Sequence, residues 1–261
     1  MSEKTYQRHK WKSALFFIVI IAITIGSIII TQFDMLNGMQ SFPAAFMWMT
    51  SNLLISSEAL EKLPTILDKL FETVFMSIAA STTGAIVAMF LGVMGSNATS
   101  PNNVFSSIAR IIASFSRNIP IVAWALILLL SFGQNSLTGY LALFIGSVGF
   151  LTRAFIESID EIDHKSMEAL RATGATYFHL IGKSVIPQGK PQMISWVLFM
   201  IETNIRSATL VGILTGTGIG YTFDLYYKQM DYGTVALITW TIVITVVIIE
   251  LMSNYIRKVI M

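Results

Sequence analysis

The stretch that decides the fold is EALRATGATYFHLIGKSVIP, residues 168–187, which lies between two strongly apolar regions of the chain. Most of its residues favour helix, and Gly174 can adopt the left-handed conformation that ends one. We therefore predict a helix over 167–173, a second helix over 175–184, and a stop at Pro187 before the next apolar region. Small side chains would let another surface approach this backbone, and apolar ones offer contact points. The small set is Ala169, Ala172 and Ala175, and the apolar set is Leu170, Phe178 and Leu180.

Two glycine-containing motifs look like nucleotide sites, and neither meets the requirements of one. A phosphate-binding loop needs a glycine five residues before the Gly of its GKS, following a strand. In this chain Tyr177 occupies that position relative to Gly182, and no strand is predicted before it. The GTGIG at residues 216–220 ends an apolar span, whereas a dinucleotide fingerprint follows a strand. We therefore expect no ATP site in this chain.

Composition places most of the chain in a lipid bilayer. Apolar residues make up 54% of the 261 residues and charged residues only 12%, about half the charged share of soluble domains. The net charge of +2 provides no concentrated basic face for nucleic acid. Cysteine is absent and the three histidines lack paired spacing, so we expect no disulfide, no catalytic thiol and no metal site.

Six apolar stretches approach the roughly 20 residues that a helix needs to cross a bilayer. The first is too long for a signal peptide and lacks a cleavage site, so we interpret it as a retained anchor. The second is rich in Gly, Ala, Ser and Thr, which suits close helix packing. The predicted spans are residues 13–31, 73–95, 107–132, 137–156, 192–214 and 234–249.

Lysine and arginine accumulate on the cytoplasmic side of a membrane, which predicts both termini and residues 168–187 to be cytoplasmic. Twelve basic residues fall on that side and three on the other. The twelve are Lys4, Arg8, Lys10, Lys12, Arg110, Arg153, Lys165, Arg171, Lys183, Lys190, Arg257 and Lys258, and the three are Lys62, Lys69 and Lys228.

The region before the second span forms a predicted N-terminal part, residues 1–72: a cytoplasmic tail, the first span and an outer segment. Residues 32–72 are too many for a tight turn. They predict either an amphipathic element on the outer face, with Phe46 and Trp48 near the headgroups, or a helix packed over the bundle. Residues 73–257 form the predicted transmembrane core.

Residues 168–187 resemble the cytoplasmic signature of ABC importer permeases, E-A-A-x3-G-x9-I-x-L-P. The chain matches it at Glu168, Ala169, Gly174 and Pro187, and departs from it at Leu170, Ser184 and Ile186. In that family the segment is a pair of coupling helices that docks into a separate ATPase subunit. The resemblance implies this role for residues 160–188, the coupling segment, with docking residues Glu168, Ala169, Leu170, Ala172, Gly174, Ala175 and Pro187.

Three further stretches resemble the permease of phosphonate-type ABC importers. They are SRNIPIVAWALILLLSFG at 116–133, GFLTRAFIESID at 149–160 and NIRSATLVGILTGTGIG at 204–220, and the resemblance covers roughly residues 70–257. It implies an all-α membrane protein with six transmembrane helices, of the type I ABC importer permease architecture with cytoplasmic coupling helices. The first 70 residues carry no diagnostic motif.

The function implied by the resemblance is translocation of phosphonate or related organophosphorus anions into the cell. The chain would be a multi-pass cell-membrane permease rather than an enzyme, without a cofactor of its own. Its partners would be a second permease copy or paralogue, two ATPase subunits that hold ATP and Mg, and an external substrate-binding protein. One alternative is a permease of another small-solute importer, such as a methionine-type one.

Two alternatives from other classes fit the sequence less well. A stand-alone secondary transporter predicts internal repeats and interrupted helices near the midplane, and no internal repeat is visible. It would also leave residues 168–187 without a purpose. A membrane-embedded enzyme would need a catalytic cluster, which the sequence lacks.

Charged residues inside predicted spans usually face the bundle interior or a water-filled path. Glu202 and Arg206 lie four residues apart and can pair on one helix face, while Asn204 lies roughly 160° around the helix from Arg206. In the third span, Arg117 and Asn118 precede Pro120, which removes a backbone hydrogen bond and can kink the helix.

Two interpretations of these charges are open. In a structural one, Glu202 neutralises Arg206 and Arg117 anchors the chain near cytoplasmic headgroups. In a functional one, one or both arginines contact an anionic substrate along the path, because guanidinium forks suit phosphonate oxygens.

Overall fold

The chain folds into helices of very different lengths. A computed structural model describes residues 3–260, with side chains from residue 10 onward apart from residue 164. Lys4 and Arg8, two of the predicted cytoplasmic charges, therefore lie outside the described side chains. The chain divides into two compact units, Met1–Asn52 and Leu53–Met261, and the predicted boundary at residues 72/73 falls inside a helix of the second unit.

The first unit consists of two apolar helices, α1 (Glu3–Thr31) and α2 (Met35–Asn52). The part of α1 from Lys10 to Thr31 is long and apolar enough to cross a membrane, which agrees with the predicted first span. Helix α2 occupies much of the predicted outer segment and contains Pro43. Its apolar side chains, including Phe46 and Trp48, are exposed.

The second unit contains the remaining helices and one π-helical turn. Four of its helices are long and apolar enough to cross a membrane, and a bent helix pair, taken as one span, adds a fifth. With α1, residues 3–260 contain five helices long and apolar enough to cross a membrane, or six spans when the bent pair is counted as one, which agrees with the predicted architecture. The elements are α3 (Ser57–Leu60), α4 (Leu63–Gly95), α5 (Asn103–Asn118), α6 (Ile121–Phe132), α7 (Ser136–Asp160), α8 (His164–Ala172), α9 (Tyr177–Leu180), the π-helical turn (Ile181–Val185), α10 (Ile186–Thr215), α11 (Gly218–Lys228) and α12 (Tyr232–Ile260).

The third predicted span, residues 107–132, is not one continuous helix. It is divided into α5 and α6, which meet at an angle of 91°. Pro120 cannot donate a backbone hydrogen bond, and it disfavours helical geometry at the residue before it. Ile119 accordingly adopts φ −90° and ψ 123°. The expected kink is thus a complete break.

The fifth span begins earlier than predicted. We expected Pro187 to stop a helix and the span to follow Pro191, but α9, the π-helical turn and α10 run on continuously from Tyr177 to Thr215. The Ile186 N–H bonds to the Ile181 carbonyl, five residues back. Pro187 then lies in the first turn of α10, where a missing N–H is tolerated.

The core of the second unit forms where α4, α7 and α10 pack together. Large side chains such as Leu151 and Phe155 are fully buried there. Small residues on α4 permit the close approach: a Cβ built on Gly84 would lie 2.8 Å from the Cβ of Ser147 on α7. The small-residue content of the second span therefore serves helix packing, as is typical of membrane bundles.

Candidate coupling segment and intramembrane charge cluster

The first helix that lies within the coupling segment is α8, which ends in a left-handed glycine cap. Gly174 has φ +80°. Its N–H donates to the Arg171 carbonyl at 3.0 Å, and the Ala175 N–H donates to the Leu170 carbonyl at 3.2 Å. These two bonds form a Schellman motif. The sequence prediction placed this turn at the same glycine.

Most of the predicted docking residues lie on the surface. Glu168, Ala169, Ala172, Gly174 and Pro187 are exposed, and Leu170 and Ala175 are half-buried. Of the apolar contact points, Phe178 is exposed. Leu180 is not, because it packs in the core with Met167 and Val185. The interpretation of Leu180 as a surface contact was therefore wrong.

Ser184, a departure from the family signature, has a structural role in this chain. It is buried, and its Oγ lies 2.8 Å from the Oγ of Ser166 on α8. Gln188 Nε2 donates to both hydroxyls, at 3.0 Å to Ser184 and 2.6 Å to Ser166. Ser166, Ser184 and Gln188, here called the polar clip, thus connect α8 to the π-helical turn and the first turn of α10. The family signature has an apolar residue at the position of Ser184.

The two charges predicted inside the fifth span are joined by a third, Arg257, which lies beyond the predicted end of the sixth span. Arg206 Nη1 lies 3.0 Å from Glu202 Oε1, and Arg257 Nη2 of α12 lies 3.8 Å from Glu202 Oε2. Arg257 also donates from Nη1 to Asn254 Oδ1 at 3.1 Å. The Nε and Nη2 atoms of Arg257 are buried without a hydrogen bond among the described residues. One carboxylate therefore faces two guanidinium groups.

The three residues differ in exposure. The side chains of Glu202, Arg257 and Arg206 are 10%, 22% and 49% exposed, respectively. Sequence reasoning paired Glu202 with Arg206 through their four-residue spacing but missed Arg257. No local signal marks Arg257, since it reaches Glu202 only through the packing of α12 against α10.

Arg117 and Asn118 are not part of this cluster. Both are exposed at the end of α5, and no ion pair or hydrogen bond among the described residues joins them to Glu202 or Arg206. The close approach of α7 explains the position of this end: a Cβ on Gly149 would lie 2.7 Å from the backbone N of Arg117. Trp124 Nε1 donates to the Ser116 carbonyl at 3.2 Å, across the helix break.

Asn204 lies on the opposite side of α10, at the centre of the core. Its Nδ2 donates to Ser81 Oγ of α4 at 2.8 Å and to Ser147 Oγ of α7 at 2.7 Å. The side chain is fully buried, and its Oδ1 has no hydrogen bond within the described chain. One amide therefore joins three helices. The sequence predicted the side of α10 on which Asn204 lies but not the residues to which it bonds.

These features define a multi-pass helical membrane protein that presents a polar helix pair at one end of its bundle. The family described as "binding-protein-dependent transport system inner membrane component" matches residues 84–260. The chain belongs to this family, and it is therefore a multi-pass inner membrane protein of the ABC importer permease class. The predicted resemblance is confirmed.

Two curated relatives carry transport names. The phosphite transport system permease protein PtxC of Stutzerimonas stutzeri is 30% identical over 72% of this chain and 69% of the relative. The putative cryptic phosphonate transport system permease protein PhnE2 of Escherichia coli strain K12 is 35% identical over 45% of this chain and 97% of the relative.

A solved structure of the MetNI methionine ABC transporter in an inward-facing conformation has the same fold. It covers 79% of this chain and all of the matched chain, with a TM-score of 0.68 and 17% identity. At an identity this low, the likeness shows only that the two chains share a fold. It agrees with the helical architecture expected of the family.

Proposed function

We propose that this chain is the permease subunit of an ABC importer that brings phosphonate, phosphite or related phosphorus oxyanions into the cell. The observation that carries this proposal is the exposed helix pair around Gly174, held between two spans in a chain whose relatives are named for phosphite and phosphonate transport. Methionine import is the second candidate. The likeness to the MetNI structure concerns the fold of this chain and does not bear on its cargo.

The proposed complex contains two permease chains, which are identical or closely related, and two ATPase subunits that bind ATP and Mg. Each coupling segment would dock on an ATPase through its docking residues and the exposed Phe178. Closure of the ATPase dimer would bring the coupling segments together and open the pathway outward, and hydrolysis would reset it. An external binding protein would deliver cargo. The permease itself performs no covalent step.

We further propose that both termini and the coupling segment are cytoplasmic, as the distribution of Lys and Arg predicts. Single cysteines test this orientation well because the chain has no native cysteine. Thr173→Cys and Gln229→Cys occupy exposed positions at opposite ends of the bundle. In intact cells an impermeant thiol reagent should label Gln229→Cys alone, and labelling of Thr173→Cys would reverse the orientation.

The charge cluster would divide its work between structure and cargo. Glu202 and Arg257 are the more buried members, and they would hold α12 against α10. Arg206 is half-exposed in a predicted span, and such charges face water-filled paths or partner helices. One carboxylate against two guanidinium groups leaves a net positive charge, which suits an oxyanion passing the site.

Uptake by the reconstituted complex tests the function. The chain, its ATPase and its binding protein would be placed in proteoliposomes and supplied with labelled methylphosphonate, phosphite or methionine. We expect ATP-dependent uptake of a phosphorus oxyanion that excess methionine does not inhibit. Uptake of methionine alone would favour the second candidate, and oxyanion uptake without the ATPase would contradict the importer assignment.

A further inference from the structure

The turn that follows α4, residues 96–100 of the connection to α5, holds the coupling segment at its start. Asp160 Oδ1 accepts hydrogen bonds from Ser96 Oγ at 2.6 Å and from the Asn97 backbone N–H at 2.8 Å. Asp160 Oδ2 accepts from Asn97 Nδ2 at 3.3 Å and lies 3.7 Å from Arg110 Nη2. Hydrogen bonds to an ionised carboxylate are stronger than neutral ones, so this is a firm attachment.

Arg110 extends the attachment to both helices that flank the turn. It is a residue of α5, and its Nε donates to the Gly95 carbonyl, the last residue of α4, at 2.9 Å. Its Nη2 donates to Asn97 Oδ1 at 3.0 Å. The carboxylate at the end of α7 is thereby joined to the end of α4 and to the body of α5.

The same turn holds the coupling segment a second time, beyond the Gly174 cap. The Tyr177 hydroxyl donates to the Thr99 carbonyl at 2.8 Å. Thr99 is buried, and its Oγ1 donates to the Val93 carbonyl of α4 at 2.7 Å. The second attachment point is therefore itself fastened to α4.

We propose that Asp160 and Tyr177 are positioning residues for coupling: they fasten the first residue of the coupling segment and its second half to the 96–100 turn, so that displacement of the segment moves α4 and α5. The inference rests on the proposed function. Packed side chains and hydrogen-bond networks carry coupling between distant sites, and these contacts form such a network up to the broken third span, since α5 leads into the 91° bend. The polar clip at Ser184 connects the same segment to α10.

The first test is the amount of cargo imported per ATP hydrolysed by the assembled complex. Tyr177→Phe removes only the hydroxyl, and Asp160→Asn removes the charge while keeping the shape. Because one hydrogen bond is worth roughly two- to tenfold in an equilibrium, we expect Tyr177→Phe to lower import per ATP by about that factor, and Asp160→Asn by at least as much. Tyr221→Phe is the matched control: its side chain is 43% exposed, against 40% for Tyr177, and it lies on α11.

A purely structural role would reduce the yield of complex and leave import per ATP unchanged. Unchanged import per ATP in both Tyr177→Phe and Asp160→Asn would therefore overturn the proposal. If the wild-type complex imports nothing, the proposed function fails instead.

Hydrogen exchange in lipid nanodiscs tests the attachment without any cargo. Tyr177→Phe should speed amide exchange over residues 173–180, whereas Tyr221→Phe should not. Equal exchange in the two variants would remove the basis for the proposal, whatever the chain transports.

Discussion

The two ends of the helical bundle differ in whether their basic side chains form ion pairs. At the end near the α10–α11 connection, each lysine lies close to a carboxylate. The pairs are Lys62–Asp231 at 2.6 Å, Lys69–Glu72 at 2.9 Å and Lys228–Asp224 at 2.6 Å. At the other end, the coupling segment carries three basic residues that form no ion pair within the described chain, Lys165, Arg171 and Lys183, and Lys190 just after the segment forms none either.

This difference indicates which end needs a protein partner. Charges that are already paired offer little to another subunit, whereas unpaired charges around an exposed aromatic side chain can steer and orient one. Ion pairs at this end lie at the end of α7: Arg153–Glu157, and Arg110–Asp160 at the first residue of the coupling segment. The unpaired basic residues therefore lie in the part of the segment beyond Asp160, and we expect different kinds of effect from variants at each end and in the middle of the bundle.

The largest effect on assembly is expected in the middle of the bundle, in the charge cluster. Glu202→Leu would leave Arg206 and Arg257 without a carboxylate to neutralise them. A charged side chain at the centre of a span costs ~2.5–3.5 kcal/mol on insertion scales. We expect strong loss of assembled protein. Arg206→Leu should be milder, because Glu202 retains Arg257 at 3.8 Å. The amount of folded protein in the membrane, measured by gel filtration after mild solubilisation, checks this order.

The double variant Glu202→Leu/Arg206→Leu separates the two roles of the cluster. In this variant Arg257 is the only charge of the cluster that remains, and it lies in the last turn of α12. The double variant should therefore assemble better than Glu202→Leu. If Arg206 also contacts cargo, this variant should assemble yet import little oxyanion while loaded binding protein still stimulates ATP hydrolysis. Equal assembly of Glu202→Leu and wild type would contradict the structural role.

The second effect belongs to the coupling end. Gly174→Val forces a β-branched residue into the left-handed region, which costs of the order of 1–3 kcal/mol. No atom lies within 4 Å of the added Cβ, so the strain is confined to the backbone. We expect the spans to insert normally while import per ATP falls roughly five- to a hundredfold.

Gly182→Val is the matched control for Gly174→Val. Its Cβ also meets no atom within 4 Å, and its φ is not positive. Import per ATP should stay near the wild-type value in this variant. If both valine variants behave alike, left-handed geometry at Gly174 is not what coupling requires.

Sequence patterns predicted the features that depend on neighbours along the chain. The cap at Gly174, the Glu202–Arg206 spacing and a bend at Pro120, although not its full extent, all follow from local geometry. The expected stop at Pro187 failed because the π-helical turn moves the bonding pattern to five residues, which leaves the proline in a first turn. A helix-stop signal assumes regular four-residue bonding.

The missed contacts join segments that are far apart in sequence. Arg257 meets Glu202, and Tyr177 meets Thr99, only after the helices have packed. In the sequence, Ser184 only departs from the family signature; in the structure, it forms hydrogen bonds with Ser166 and Gln188. Such pairs carry no spacing rule, so one sequence could identify the residues without assigning their partners.

The third effect compares a surface charge from each end. Arg171→Glu reverses an unpaired cation of the coupling segment, and Lys228→Glu reverses one that is paired with Asp224. If the coupling end binds the ATPase, Arg171→Glu should weaken that association about tenfold, or ~1.4 kcal/mol, with the loss shrinking in high salt. Pull-down of the ATPase at two salt concentrations measures this, and equal loss in both variants would erase the distinction between the ends.

The smallest effect is expected from the Lys62–Asp231 pair at the opposite end. The hydrogen bond from Lys62 is the main reason that the pKa of Asp231 lies below its ordinary 3.8, and the same bond raises the pKa of Lys62 above 10.5. The stabilisation from Asp231 is therefore present above pH 3.8 and is lost as the pH falls through its lowered pKa. That from Lys62 is present below pH 10.5 and is lost as the pH rises through its raised pKa.

Lys62→Met should therefore lower the melting temperature at pH 7 and have little effect near pH 2. The side chains are 38% and 31% exposed, so solvent screening limits the pair to at most about 1 kcal/mol, or roughly 2–4 °C. Lys228→Met, whose lysine is largely exposed, should shift the melting temperature less. Import per ATP should remain unchanged in both variants, because neither lysine belongs to the end that we propose to bind the ATPase. A drop in coupling from Lys62→Met, with no change in melting temperature, would place a coupling element at the wrong end of the molecule.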